Sequence, residues 1–188
     1  QGMCAGIRDV SNLAWKISHC LKKKHDDKLL NTYQSERSSN VKEYIETTMR
    51  MGEFVNAVGK SPITNNISAD SKGRKSMKSI KPRLGQGLGD LKDKFRGKIF
   101  PQFIIKKNKK LDEKFSLKPA LIISDEIKKN ISSKIKLIKS KNIKNLELFF
   151  KEHNCKAIIV RPDRFILSSC TSVKNFNSYL NKNLSSLA

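Results

Sequence analysis

The 188-residue sequence predicts an α/β protein: a pair of long helices followed by a small domain of short strands and helices. Three observations predict it. Apolar residues recur with a helical period through the first sixty positions. From Gly97 onward they gather instead into short β-branched runs bounded by polar turns. The charge divides at the same place, since residues 1–60 carry ten Lys and Arg against seven Asp and Glu, whereas residues 61–188 carry 29 against ten.

The first helix follows from Val10, Leu13, Ala14, Ile17 and Leu21, which share one face at 3.6 residues per turn. Lys22, Lys23 and Lys24 suit its negative end, and His25-Asp26-Asp27 breaks it. A longer helix carries the stripe Leu30, Tyr33, Arg37, Val41, Tyr44, Ile45, Thr48, Met51, Val55 and Val58. Gly59 and Pro62 are its expected stop. Glu36 and Arg37 lie near that stripe, so one of them is expected to be buried and paired. Residues 61–94, rich in Ser, Asn, Lys and Gly, read as a linker of loop with at most short helices. Within it, Gly85-Gln86-Gly87-Leu88-Gly89-Asp90 has glycines like a phosphate loop. No strand precedes it, however, and its third glycine falls one position early for GxGxxG, so it reads as a structural turn. Strands are expected at Ile99-Phe100, 103–105, 121–123, 157–160 and 165–167. The last two flank Arg161-Pro162-Asp163-Arg164 as a hairpin. Ile143, Leu146, Phe149 and Phe150 mark one more helix, and Val173, Phe176, Leu180 and Leu184 mark a terminal one.

The formal charge of +22 invites a nucleic-acid reading. Against it, 31 of the 39 basic residues are Lys, scattered without interleaved aromatics, whereas specific readers rely on Arg forks and stacking rings. The charge alone implies non-specific, salt-sensitive contact with nucleic acid. No stretch approaches the ~20 apolar residues of a membrane span. The polar start at Gln1 lacks the features of a secretory signal, and since it is not Met, either something was removed or the chain is the C-terminal part of a longer protein. Cys4, Cys20, Cys155 and Cys170 form no CxxC pair and have no His at zinc-ligand spacing, so reduced thiols in the cytoplasm are expected, with no metal. The three His are isolated, which disfavours a hydrolytic triad.

Several islands narrow the reading. The opening Gln1-Gly2-Met3-Cys4-Ala5-Gly6-Ile7-Arg8-Asp9-Val10-Ser11-Asn12-Leu13-Ala14-Trp15-Lys16 resembles the segment after the GD motif in class A flavoprotein aromatic hydroxylases, the para-hydroxybenzoate and phenol hydroxylase group. Leu29-Leu30-Asn31-Thr32-Tyr33-Gln34-Ser35-Glu36-Arg37 looks like that family's Leu-Leu-x-x-Tyr-x-x-Glu-Arg. Pro82-Arg83-Leu84-Gly85-x-Gly87-Leu88 and Gly97-x-x-Phe100-Pro101-Gln102 are similar to its connector. Phe149-Phe150, His153-Asn154 and Val160-Arg161-Pro162-Asp163-Arg164-Phe165 look most like the 3-(3-hydroxyphenyl)propionate hydroxylases.

The resemblance implies a fold: residues 1–60 as the helical end of an FAD-binding monooxygenase domain, 61–94 as linker, and 95–188 as a thioredoxin-like α/β domain without dithiol chemistry. It also implies an enzyme as parent, using FAD, NAD(P)H and O2 to hydroxylate a phenolic small molecule. Gln1, Gly2, Met3 and Cys4 are then the cofactor-binding residues, their backbone amides set against the electron-rich edge of the flavin. Arg8 and Asp9 are expected to support the helix start by pairing, and Trp15 to pack. No catalytic residue is assigned, because the nucleotide-cradling glycines and the substrate sheet of such enzymes are not in this chain. The chain by itself is therefore expected to be inactive. The alternative is a non-enzymatic basic module that binds nucleic acid or acidic partners.

Overall fold

A computed structural model describes residues 2–23, 27–56, 67–69, 75–77, 80–106, 109–115, 118–127, 135–141 and 143–185. Two helices open it, α1 (Gly2–Lys23) and α2 (Lys28–Asn56), and they pack side by side. Short strands β1 (Ile67–Ala69) and β2 (Lys75–Met77) pair antiparallel, so the stretch read as loop or short helix holds a strand pair instead. Three-residue strands are too short to show a period of two, which is why the sequence pattern hides them.

The C-terminal lobe is built on one mixed sheet. Strands β3 (Ile104–Lys106) and β4 (Lys109–Lys110) form a small antiparallel pair beside it, followed by a 3-10 turn over Leu111–Lys114. The main sheet comprises β5 (Ala120–Ile123), β6 (Lys136–Lys139), β7 (Ala157–Val160) and β8 (Ile166–Cys170), in the order β6-β5-β7-β8. β5 runs parallel to β6 and antiparallel to β7, and β7 runs antiparallel to β8. Helix α3 (Lys144–Glu152) connects β6 to β7, and α4 (Phe176–Ser185) follows β8.

Every residue of β5 and β7 is buried, which explains their unbroken apolar runs: both faces of the sheet are covered. Alternation divides the side chains between two cores. Ala120, Ile122, Ile158 and Val160 meet Leu146 and Phe150 of α3, with Phe95, Phe100 and Phe103. Leu121, Ile123, Ala157 and Ile159 pack with Phe176 at the start of α4. Phe149 touches five rings edge-on or tilted, those of Phe95, Phe100, Phe103, Phe150 and His153. Strand β6 is absent from the sequence reading. Lys136 and Lys139 are exposed and only Ile138 is buried, so this edge strand hides among lysines that also discourage edge-to-edge pairing.

The Arg161–Arg164 hairpin forms as expected. Arg164 N–H donates to Arg161 O at 3.0 Å and Arg161 N–H to Phe165 O at 2.9 Å, while Arg164 takes φ +69°. This is a tight turn closed by a left-handed residue, with Pro162 at the position its fixed φ favours.

The stripe on α1 is where the structure departs most from the sequence pattern. Val10 and Leu21 are 67% and 76% exposed, and Met3, Ile7 and Ile17 are exposed with them. The face turned inward carries Asn12, Trp15, Lys16 and Cys20. Periodicity identifies an apolar face but not which face this chain covers. Here the polar face wins, because Asn12 and Lys16 meet charged partners from elsewhere in the chain.

Candidate functional site

The first turn of α1 presents Gly2, Met3 and Cys4 to solvent, and Gln1 lies outside the described residues. No acidic residue stands in that turn, so the positive end of the helix is uncompensated by side chains. A methyl group added at Gly2 or Gly6 would meet nothing within 4 Å, which leaves room for a flat group to approach the backbone. Arg8 donates from Nη1 to Cys4 O at 3.1 Å and lies 4.9 Å over the Tyr44 ring. Asp9 accepts from Arg37 Nε at 2.7 Å. Arg8 and Asp9 thus find partners as expected, but on α1 itself and on α2 rather than with each other. An exposed helix end without a carboxylate in its first turn favours a nearby anion.

Below it lies a buried ion cluster that the sequence reading only glimpsed. Glu36 of α2 is fully buried. Its carboxylate accepts from Arg161 Nη1 at 2.8 Å, Arg161 Nη2 at 2.9 Å, Lys16 Nζ at 2.9 Å, Asn12 Nδ2 at 3.2 Å and the Leu88 amide at 2.9 Å. Arg161 also holds Asp163 through Nε at 3.1 Å and Nη2 at 2.7 Å, and Asp163 accepts from Asn12 at 2.8 Å. The Arg161 guanidinium stacks 5.1 Å over Trp15, so Trp15 packs as expected and also covers the cluster. Burial alone would raise the Glu36 carboxyl. Arg161 and Lys16 outweigh it and hold the pKa down at about 2. Burial lowers the Lys16 ammonium, with Glu36 opposing.

The glycine-rich segment belongs to this cluster. The Gly85 amide donates to Glu36 O at 2.8 Å. A Cβ at Gly85 would stand 2.2 Å from Ser35 O, and one at Gly87 would stand 2.3 Å from Glu36 Cγ. Arg96 threads back to the carbonyls of Leu88 at 2.7 Å and Gly85 at 2.6 Å. The turn reading therefore holds, and Gly85 and Gly87 are there to admit α2 rather than a phosphate. Asn40 completes the docking through Pro82 O at 2.8 Å. Both Glu36 and Arg37 are buried and paired, where the sequence pattern anticipated one. Arg161 and Asp163 read only as turn formers. Beyond that, their one sequence signal was their place in a motif island, whereas Glu36 was also marked by its place near the α2 stripe.

Cys4, Cys20, Cys155 and Cys170 form no disulfide, and burial pushes Cys155 up to about 11, so it is a packing residue. Among the described residues no cluster of His, Cys, Asp and Glu could hold a metal ion, and no helix is long and apolar enough to cross a membrane.

Residues 1–48, which include α1 and most of α2, match the family model of the FAD binding domain. The chain is 35% identical over 109 residues to a probable NADH-specific resorcinol 4-hydroxylase of Rhodococcus jostii, covering 56% of this chain and 20% of that protein. It is 42% identical over 55 residues to a 3-(3-hydroxy-phenyl)propionate/3-hydroxycinnamic acid hydroxylase of Escherichia coli, covering 29% of this chain and 10% of that one. The chain thus spans a fifth or less of the length of these relatives. In fold it is similar to the flavin-dependent monooxygenase PieE solved with FAD and substrate, at TM-score 0.57 and 11% identity over 97% of this chain and 44% of that one. It is likewise similar to aklavinone-11 hydroxylase solved with FAD and aklavinone, at TM-score 0.52 and 13% identity over 96% and 40%. The basic-module alternative finds no support in these relatives. By family match, relatives and fold together, this chain is similar to the FAD-dependent aromatic hydroxylases.

Proposed function

We propose that this chain is the C-terminal part of an FAD-dependent, NAD(P)H-using monooxygenase that hydroxylates a phenolic small molecule. Residues 1–60 are the helical end of its FAD-binding domain, 61–94 a linker, and 95–188 a thioredoxin-like domain. The observation that carries the reading is the coincidence of the FAD binding domain match over residues 1–48 with a helix whose first turn exposes its amides and has no acidic side chain. The two relatives named for phenolic substrates supply the substrate class. The sheet order β6-β5-β7-β8, with β7 running opposite to the other three strands, supports the thioredoxin-like assignment, and the missing CxxC leaves that domain a structural role.

Gly2, Met3 and Cys4 of α1, with Gln1 ahead of them, are the residues assigned to the flavin. Bound FAD supplies the redox chemistry by which NAD(P)H and O2 deliver one oxygen atom to an aromatic ring. The contribution of this chain is electrostatic. The helix end favours negative charge by about 0.3–1 kcal/mol when exposed and up to about 2 kcal/mol once covered. Four cysteines outside any disulfide accord with a reducing cytoplasmic setting. Contact with nucleic acid through the lysine-rich surface is non-specific and falls with salt. The helix end touches one edge of a large cofactor, so the chain by itself binds FAD weakly and turns nothing over.

The test is a chimera in which this chain replaces the matching segment of the resorcinol 4-hydroxylase. It is expected to oxidise NADH faster when a phenol is added and to yield a product heavier by one oxygen. A folded, flavin-loaded chimera whose NADH oxidation ignores every phenol offered would refute the assignment of this chain to a phenol-hydroxylating enzyme.

A further inference from the structure

We propose that Arg161 is a positioning residue: through Glu36 and Asp163 it clamps α1 to the C-terminal lobe and so fixes where the Gly2–Cys4 end of that helix points. The proposal rests on the flavin reading only for what the held end does, and the holding itself stands without it. Arg161 follows β7 directly, and its amide is tied to Phe165 O across the hairpin, so its guanidinium reaches out from a rigid base. Two of its nitrogens take the two oxygens of Glu36, and the same fork binds Asp163. On α1, Asn12 reaches both carboxylates, Lys16 reaches Glu36, and Trp15 lies against the guanidinium.

The contacts are directional, and this separates a clamp from ordinary packing. Apolar burial tolerates sliding, whereas a bidentate guanidinium–carboxylate pair fixes angle as well as distance. The apolar residues that would otherwise seat the helix, Met3, Ile7, Val10 and Leu21, are exposed. From Asn12 to Gly2 the helix runs about 15 Å at 1.5 Å per residue. A tilt of about 5° at the clamp therefore moves the amide-bearing end by about 1 Å, a displacement that costs on the order of a hundredfold where reacting groups must be aligned.

The test uses the 188-residue chain without flavin, so its failure is separable from failure of the flavin assignment. Amide hydrogen exchange is followed in α1, β5 and β7, and acrylamide quenching is followed at Trp15, the single tryptophan. With Arg161→Met, exchange in α1 is expected to rise about tenfold and Trp15 to become more quenchable, while β5 and β7 change by less than about twofold. Arg161→Lys, which keeps the charge and loses the fork, is expected to move α1 and Trp15 the same way by a smaller factor. If Arg161→Met does not fold, Arg161→Lys is read by the same criteria. Unchanged α1 exchange would overturn the proposal. A rise in β5 and β7 equal to that in α1 would also overturn it, by making the cluster a general stabiliser of the fold.

Discussion

At the scale of single residues, Glu36 concentrates the chemistry of the chain. Its folded pKa of about 2 lies below the ordinary 4.5, so its contribution is fully present above pH 4.5 and is lost as pH falls from 4.5 through 2. The size is about 3 kcal/mol at 1.36 kcal/mol per unit. Unfolding of the helical pair, followed by Trp15 fluorescence, is expected to show constant Glu36-linked stability between neutrality and about pH 5 and a decline below it. A flat profile down to pH 2 would mean that Glu36 is not the linked group. Two glycines offer a second contrast. Gly89 has φ +86°, and an added Cβ would sit 2.3 Å from Leu167 O, so Gly89→Ala is expected to destabilise the chain by about 1–3 kcal/mol in urea titration. Gly2, with open space around it, should accept Ala with a change within about 0.5 kcal/mol. A comparable loss at both positions would mean that the space around Gly2 is not open.

At the scale of elements, legibility followed burial. Strands β5, β7 and β8 and helices α3 and α4 announced themselves because each presents an apolar pattern to a two-sided core. Leu146, fully buried in α3, is expected to cost about 2–5 kcal/mol as Ala, measured by denaturant unfolding. A loss below about 1 kcal/mol would place α3 outside the core. Strand β6 escaped notice because Ile138 is its one buried residue, and β1 and β2 because three residues carry no period. Helix α1 was legible as a helix but not in orientation, since its covered face is polar and partners for Asn12 and Lys16 come from positions 36 and 163. Contacts across more than a hundred residues leave no local trace in spacing. The exposed face in turn predicts that Val10→Ser changes the stability of the chain by less than about 0.5 kcal/mol, whereas burial against another surface would make the same change costly.

At the scale of the molecule, an ion cluster ties a helical pair that matches an FAD binding domain to a lobe with its own two-sided core. The two lobes meet through Glu36, Arg161 and the glycines that admit them, so the helix end assigned to the flavin is aimed from the opposite end of the chain. The candidate cofactor residues were legible only by resemblance. Gly2, Met3 and Cys4 are exposed, and their chemistry lies in backbone amides that every helix shares. The measurement that bears most directly on the account is the flavin content of the chimera with the resorcinol 4-hydroxylase after gel filtration. The account predicts yellow protein carrying stoichiometric FAD, with Trp15 shielded from acrylamide. A chimera that folds with Trp15 equally shielded and yet elutes colourless would contradict it.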